Sequence, residues 1–120
     1  MDWRVKKVIG ATTVRYGESH HSLTRLSGEI GVSTHYLGIL FKRDFGLSFH
    51  TYLRRLRIQK ACELLADPAK LIKQISHQTG YTRVANFDRD FRAECGMTPK
   101  QYRVRLVDTA CAGQSASPPN

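Results

Sequence analysis

The sequence repeats one pattern, and this repeat limits the possible folds more than any other feature. Four positions, three of them apolar or small and the last a glycine, recur 49 residues later: Leu23, Leu26, Ser27 and Gly31 match Ile72, Ile75, Ser76 and Gly80. Five later positions recur 50 residues apart: Leu37, Phe41, Gly46, Ser48 and Tyr52 match Phe87, Phe91, Gly96, Thr98 and Tyr102. The change in offset predicts one extra residue in the second copy. Because two copies are too few for a solenoid, we expect one domain made of two similar halves.

The spacing of the apolar residues predicts an all-α fold with about seven helices. Apolar residues recur at steps of three and four almost throughout, and alternating stretches of Val, Ile and Thr are missing. Each half is predicted to form a helix, a tight turn at Gly31 or Gly80, and a second helix capped by Ser33 or Thr82. This order is typical of a helix-turn-helix; the alternative is a plain α-hairpin without a ligand.

The helix ends between and after the two turns are well marked. Gly46 and Gly96 are expected to follow the second helix of each half, and residues 98–101 form a capping box with proline at the first helical position. Residues 48–66 predict one long linking helix, ended by Asp67 and Pro68. At 1.5 Å per residue this helix spans roughly 28 Å, comparable to the ~34 Å between successive major grooves on one face of DNA.

The charge of the chain favours a polyanionic partner. The net charge is +9, from 19 Lys and Arg residues scattered along the chain against 10 Asp and Glu residues. Nucleic acid is the first candidate, and a membrane surface or simple solubility are the alternatives. Charged residues interrupt every apolar run near the start, and no stretch reaches membrane-spanning length. We therefore expect no membrane partner and a cytoplasmic, nucleoid-associated protein.

The sequence lacks the motifs of an enzyme, a metalloprotein or a disulfide framework. Cys62, Cys95 and Cys111 form no CxxC pair and no metal-ligand spacing, so we expect reduced thiols, no metal and no cofactor. There is no Gly-rich phosphate loop and no evident pair of catalytic carboxylates. Cys62 is expected to pack in the core rather than to act as a nucleophile. RNA binding is disfavoured because the Phe and Tyr residues are assigned to inward faces.

Two long segments resemble the DNA-binding domain of the AraC/XylS transcription regulators. They are SLTRLSGEIGVSTHYLGILFKRDFGLSFHTYLRRLRIQKACELL and IKQISHQTGYTRVANFDRDFRAECGMTPKQYR, of which GMTPKQYR is especially distinctive. The likeness covers Trp3 to about Leu106. It implies a DNA-binding domain at 1–106, with helix-turn-helix subdomains at 1–47 and 67–106 and the linking helix at 48–66. The remainder, 107–120, is small and polar and is expected to be a disordered tail.

The resemblance implies a sequence-specific transcription regulator that binds double-stranded DNA. Two recognition helices, about 33–45 and 82–95, would lie in adjacent major grooves on one face of the duplex. Many family members carry a separate effector-binding domain, which this chain does not show, so both a stand-alone regulator and a piece of a longer one remain open. The rival interpretation is a bipartite module in which only the second half reads DNA and the first contacts a protein such as RNA polymerase.

The first recognition helix departs from the family pattern. If Leu37 marks the buried face, Ile39 points outward and Gly38 lies at the flank. Ile39 stands where the family commonly has Arg. One interpretation is drift at a tolerant surface site. In another, the missing side chain at Gly38 lets the helix approach the groove and Ile39 packs on a thymine methyl. In a third, Ile39 marks a protein contact.

In the second recognition helix, Arg89 is the strongest candidate for reading a base, because its guanidinium can bind guanine O6 and N7 together. Asp88 and Asp90 are unexpected beside a polyanion. Asp88 accepts from a cytosine amino group in one interpretation, and in the other both aspartates pair with nearby arginines. The sequence does not decide between these roles.

The predicted contacts fall into two sets. The predicted base-contacting residues are His35, Gly38, Ile39, Val84, Ala85 and Arg89. The predicted DNA-backbone contacts, from helix starts and basic flanks, are Ser33, Thr34, Lys42, Arg43, Thr82, Arg83, Asn86, Arg92 and Lys100. Four basic residues of the linking helix are expected instead to form a solvated or ion-paired face: Arg54, Arg55, Arg57 and Lys60.

Overall fold

The computed structural model describes residues 1–111, with side chains as far as residue 107. This part of the chain forms seven α-helices and contains no strand, as the apolar spacing predicts. The helices are α1 (Trp3–Arg15), α2 (Leu23–Ile30), α3 (Thr34–Phe45), α4 (Phe49–Leu65), α5 (Ile72–Gln78), α6 (Val84–Cys95) and α7 (Pro99–Cys111). No helix within these residues is both long and apolar enough to cross a membrane. The molecule is elongated, with extents of 51 × 26 × 21 Å.

The long helix α4 links two separate hydrophobic cores. Its 17 residues extend over roughly 25 Å. The start of α4 packs on α1, α2 and α3 around Phe41, whereas its later turns pack on α5, α6 and α7 around Phe87 and Phe91. The two halves predicted from the repeat are therefore two small cores on one shared helix.

The turns confirm the roles of the repeated small residues. Gly31 and Gly80 lie at φ +90° and +95°, a backbone conformation that glycine adopts without strain. Ser27 and Ser76, each four residues before a turn glycine, are buried, and their hydroxyls donate to carbonyls three residues earlier. Small side chains at these positions let the two helices of each half pack closely.

The caps confirm most of the predicted helix ends, but the prediction for Thr82 is wrong. Ser33 accepts a hydrogen bond from the N–H of Tyr36 at 3.1 Å, as an N-cap should. The N-cap of α6 is Arg83, and no side chain caps this helix. The extra residue in the second turn explains the difference. Tyr81 is buried against Phe87 and Thr82 is exposed, so the N-cap lies one residue later than predicted.

The last helix is longer than the sequence indicates. Thr98 and Gln101 exchange the two hydrogen bonds of a capping box, at 2.9 and 3.1 Å, and Pro99 opens α7 as predicted. The helix continues to Cys111, so residues 107–111 of the expected disordered tail are helical. The sequence has no glycine between Thr98 and Cys111 that could end the helix earlier, and the next one is Gly113. Residues 112–120 of that prediction lie outside the described residues.

Candidate nucleic-acid interface

Helix α3 turns one face to the core and leaves the opposite face open. Leu37, Leu40 and Phe41 are at most 3% exposed, because α1, α2 and α4 cover them. On the other side Ile39 is 52% exposed, and further residues predicted to contact DNA are also exposed: Ser33, His35, Lys42 and Arg43. The inward and outward positions thus follow the helical spacing read from the sequence.

Two predicted DNA-backbone contacts on α3 already have partners within the protein. The hydroxyl of Thr34 is half-buried and lies 2.8 Å from the Ser27 hydroxyl, so its backbone N–H is the group that can face an anion. Arg43 Nε lies 2.9 Å from Asp44 Oδ1. This contact lowers the pKa of the Asp44 carboxyl and raises the pKa of Arg43. Because Arg43 is 61% exposed, this pair is weak enough to exchange for a phosphate.

Tyr36 contradicts the expectation that every Phe and Tyr faces inward. It is 43% exposed on α3, and the Arg4 guanidinium lies 5.2 Å from its ring centroid. Arg4 is held by Asp2, whose backbone N–H donates to Asp44 at 2.8 Å. Successive residues of a helix lie about 100° apart, so position 36 points away from the buried Leu37, and the helical spacing was enough to show this. Tyr36, with Arg4 beside its ring, therefore adds an aromatic side chain to the exposed surface of the first half.

Packing inside the protein does not require glycine at position 38. A Cβ added there would lie 3.4 Å from Leu23 Cδ2, an ordinary van der Waals distance, with nothing else within 4 Å. The residue sits at the flank between α2 and the open face, as expected. Glycine at position 38 therefore reflects either a surface site that accepts many residues or a close contact with another molecule, such as DNA.

Helix α6 also has a closed and an open face, but its open face is more polar. Phe87 and Phe91 are fully buried in the second core. Arg89 is 72% exposed, and the other exposed residues predicted to contact DNA are Arg83, Ala85, Asn86 and Arg92. Val84 is half-buried at the border. Ala85, Arg89 and Arg92 line a shallow depression together with Asp88.

The structure assigns Asp90 the protein contacts that the sequence leaves open. Its carboxylate accepts from the buried Tyr81 hydroxyl at 2.9 Å and lies 3.4 Å from Arg89 Nε. Burial, together with Asp90, raises the pKa of Tyr81. The Arg89 contact is long and solvated, so it contributes little and leaves the guanidinium available to a ligand.

The basic residues of the linking helix form ion pairs, as expected, with one exception. Arg54 Nε lies 2.8 Å and Arg55 Nε 3.7 Å from the Glu94 carboxylate of α6, and Lys60 lies 3.6 Å from Glu63. Arg57 is different, because it is half-buried and bonds to backbone carbonyls instead of to a carboxylate. Sequence spacing shows which face of α4 Arg57 occupies, but not that the segment between α1 and α2 lies against it.

Two cysteines that are far apart in sequence meet beside the second core. Cys62 and Cys95 are free thiols with their sulfur atoms 3.9 Å apart. Burial raises the pKa of both, that of Cys95 to about 12, so both stay protonated near neutral pH. A protonated thiol is a poor nucleophile, in agreement with the core role expected for Cys62. Within residues 1–111 no three His, Cys, Asp or Glu side chains cluster closely enough to hold a metal ion.

Two helix-turn-helix units, each presenting the open face of its second helix, define the DNA-binding domain of a transcription regulator. The model of the helix-turn-helix domain family, of the AraC type, matches residues 26–105, and the chain belongs to this family. Domains of this class bind DNA and are not enzymes.

Individual relatives agree with this assignment. The chain is 31% identical over 86 residues to the uncharacterized HTH-type transcriptional regulator YtdP of Bacillus subtilis, covering 72% of this chain but only 11% of that protein. It is 34% identical to the C-terminal domain of the two-component response regulator yesN from Fusobacterium nucleatum, with a TM-score of 0.79 and coverage of 82% of this chain and 95% of that one. The DNA-binding domain of AdpA, solved with a target DNA, shares the fold at 18% identity, with a TM-score of 0.80 and coverage of 92% and 97%.

Proposed function

We propose that the domain binds a specific operator in double-stranded DNA by placing α3 and α6 in adjacent major grooves on one face of the duplex. One observation carries this proposal: both helices keep an uncovered face opposite their buried aromatic residues, and both are attached to the same 17-residue helix. The net charge of +9 suits a polyanion. The AdpA domain, which has the same fold, was solved with its target DNA.

In this arrangement the open faces supply the base contacts. We assign this role to His35, Gly38, Ile39, Val84, Ala85 and Arg89. Arg89 has the strongest chemistry, since its exposed guanidinium can bind a guanine edge through two hydrogen bonds. Ile39, with Gly38 beside it, offers apolar contact to a thymine methyl.

The helix starts and flanks hold the phosphates. The proposed residues are Ser33, Thr34, Lys42, Arg43, Thr82, Arg83, Asn86, Arg92 and Lys100. The start of α6 has no side-chain cap, so its first N–H groups lack protein acceptors and suit a phosphate oxygen. These contacts position the domain without selecting a sequence.

Selection of bound fragments from random duplex DNA, followed by hydroxyl-radical footprinting, tests the proposal. We expect protection of two neighbouring major grooves, about 10 base pairs apart on one face. Lys100→Ala should weaken binding to all sequences alike and reduce the salt dependence by about one charge. Protection of a single groove would contradict the use of both helices.

The exposed apolar residues of α3 favour a second candidate, in which the first half contacts a protein such as RNA polymerase. Ile39 and Tyr36 are 52% and 43% exposed, an unusual surface for a helix that faces only phosphates and bases. Binding of Ile39→Ala to operators with single thymines replaced by uracil separates the two. A loss that disappears when the methyl group is absent indicates DNA contact. Binding by Ile39→Ala that equals the wild type on both thymine and uracil operators, with normal footprints, favours the protein contact, whereas equal losses on both contradict the methyl contact.

The chain spans only part of the length of the curated relatives that it matches. Because the chain spans about a tenth of YtdP, we propose that an effector-binding or other regulatory domain acts together with this one. The expected location is the cytoplasm, on chromosomal DNA. Gel filtration of the domain with RNA polymerase and operator DNA tests whether the polymerase joins the complex.

A further inference from the structure

Arg57 occupies the middle of α4, where the two cores meet. Leu53 is the last α4 residue buried in the first core, and Ile58 is the first buried in the second. From this position the Arg57 side chain reaches the segment between α1 and α2. Its Nε donates to the Tyr16 carbonyl and its Nη2 to the Glu18 carbonyl, both at 2.9 Å. Arg57 therefore bonds to the first half from the junction.

The same guanidinium also contacts the second half. Its central carbon lies 5.7 Å from the ring centroid of Tyr81, in the turn before α6. Tyr81 in turn packs on Phe87, the central residue of the α6 core face. One half-buried cation thus connects the α1–α2 segment with the residue that seats the second recognition helix. Because its partners are two fixed carbonyls and a ring face, its position is well defined.

The backbones of the two halves also touch at two glycines. A Cβ at Gly17 would lie 2.6 Å from the Gln78 carbonyl oxygen, and a Cβ at Gly80 would lie 2.7 Å from the Tyr16 carbonyl oxygen. Real side chains do not reach such distances, so any other residue would push the halves apart. Gly17 does not have a positive φ, and its need for glycine comes from space alone.

The repeat provides an internal comparison for this contact. Gly31 and Gly80 occupy equivalent positions with nearly the same φ, yet a Cβ at Gly31 would meet nothing within 4 Å. The turn geometry explains glycine at both positions, whereas close approach between halves concerns only Gly80. The crowding is therefore a property of the junction and not of the helix-turn-helix itself.

We propose that Arg57, with the close contacts at Gly17 and Gly80, is a clasp that fixes the angle between the two recognition helices and so makes the domain selective for the spacing of its two half-sites. Each core packs on its own part of α4, so bending of this helix or tilting of a core on it would change that angle. The clasp is a second point of attachment, away from the helix axis. The proposal rests on the proposed use of both helices for DNA binding.

Two variants remove the clasp, and each has a matched control. Arg57→Gln shortens the side chain that bonds to the carbonyls, and its control is Arg55→Gln on the exposed side of the same helix. Gly17→Ala forces a Cβ against Gln78. Its control is Gly10→Ala in α1, where a Cβ meets nothing within 4 Å. The two clasp variants disturb different elements, so a folding defect in one leaves the other to give the answer, and Arg57→Lys provides a third, milder change.

The first measurement needs no DNA. Residual dipolar couplings of backbone amides in weakly aligned protein report the orientation of each half. We expect one alignment tensor to fit residues of both halves in the wild type and in both controls, and two different tensors in Arg57→Gln and Gly17→Ala. A single tensor in both clasp variants would overturn the proposal.

The second measurement compares affinities for operators with one base pair inserted or removed between the half-sites, which rotates one half-site by about 34° relative to the other. We expect the wild type to lose about tenfold in affinity and the clasp variants at most about threefold. An equal loss in wild type and variants would contradict the spacing role. If the wild type protects only one groove, the proposed function fails, and the dipolar couplings still decide whether the clasp exists.

Discussion

The two recognition surfaces share a scaffold and differ in chemistry. Inside, Leu37 and Phe41 of α3 occupy the places that Phe87 and Phe91 occupy in α6, and all four are fully buried. Outside, α3 exposes Ile39 beside a glycine, whereas α6 exposes Arg89. The inward positions determine how each half folds, and the outward positions determine what it can bind. A repeat in fold therefore does not imply a repeat in recognition.

The two helix starts differ in a related way. Ser33 caps α3 through its hydroxyl, while α6 begins after Arg83 without a side-chain cap. A bound phosphate would satisfy more unpaired N–H groups at α6 than at α3. Together with Arg89, this makes the second half the stronger candidate for polar contacts to DNA and the first half the candidate for apolar ones.

The largest expected effect comes from removing one core at a time. Phe41→Ala and Phe87→Ala should each lower the free energy of unfolding by about 3–5 kcal/mol, because both rings are fully buried. Chemical denaturation measures the loss, and amide spectra show where it falls. We expect the α1–α3 signals to change most in Phe41→Ala and the α5–α7 signals in Phe87→Ala. Equal disturbance of both halves in both variants would show that the two cores are not independent.

Arg89→Ala should give the next largest effect, a loss of about 1–3 kcal/mol of discrimination at a single base pair. Competition binding with operators changed at every position measures it. Arg83→Ala serves as the control, since a phosphate contact should lower affinity for all sequences alike. If Arg89→Ala behaves like Arg83→Ala, then Arg89 binds the DNA backbone and the polar contrast between the halves is lost.

Gly38→Ala should raise the stability of the first half by about 1 kcal/mol, since a methyl group fits there and alanine favours the helix. If α3 approaches the groove closely, the same change should weaken operator binding. Gly28→Ala in α2, where a Cβ meets nothing within 4 Å, should stabilise without affecting binding. Unchanged binding by Gly38→Ala would indicate that this glycine is only tolerated.

The smallest expected effect is a difference in acid sensitivity between the halves. His21 is 4% exposed, and its Nε2 lies 2.9 Å from the Thr12 hydroxyl. Burial, reinforced by the nearby charge of Arg57, lowers the pKa of His21 in the folded state. Below about pH 6.5 the unfolded chain therefore binds a proton that the folded chain does not, and stability falls as the pH decreases further.

The pH effect has a direct control. Between pH 7.5 and pH 5 the unfolding free energy of the wild type should fall more steeply than that of His21→Gln. The matching position in the second half is Lys70 and not a histidine. Parallel pH profiles of wild type and His21→Gln would show that His21 does not contribute.

Sequence reasoning predicts this fold well because its signals are local. Helical spacing, turn glycines and caps such as Ser33 depend on residues within four positions of one another. The same local rules failed at Thr82, where a single inserted residue moved the cap. They also give no sign that His21, next to the exposed His20, is buried against Phe49.

Features that join distant segments were not accessible in this way. Arg57 bonds to carbonyls 39 and 41 residues earlier in the chain, and backbone carbonyls leave no trace in residue identity. The contact of Cys62 with Cys95, 33 residues apart, depends on how α6 lies across α4. For the interface, helical spacing predicted which side chains face outward, while the contact of Asp90 with the Tyr81 hydroxyl, across the start of α6, required the tertiary structure.

The shared linking helix has a consequence for the shape of the target. Two-fold symmetric dimers match palindromic sites, because rotation exchanges their identical halves. Here the halves follow one another along a single chain and carry different side chains, so no rotation exchanges α3 with α6. A site bound by both has a head and a tail, so turning it around on the chromosome would reverse the direction of the bound domain relative to the flanking DNA.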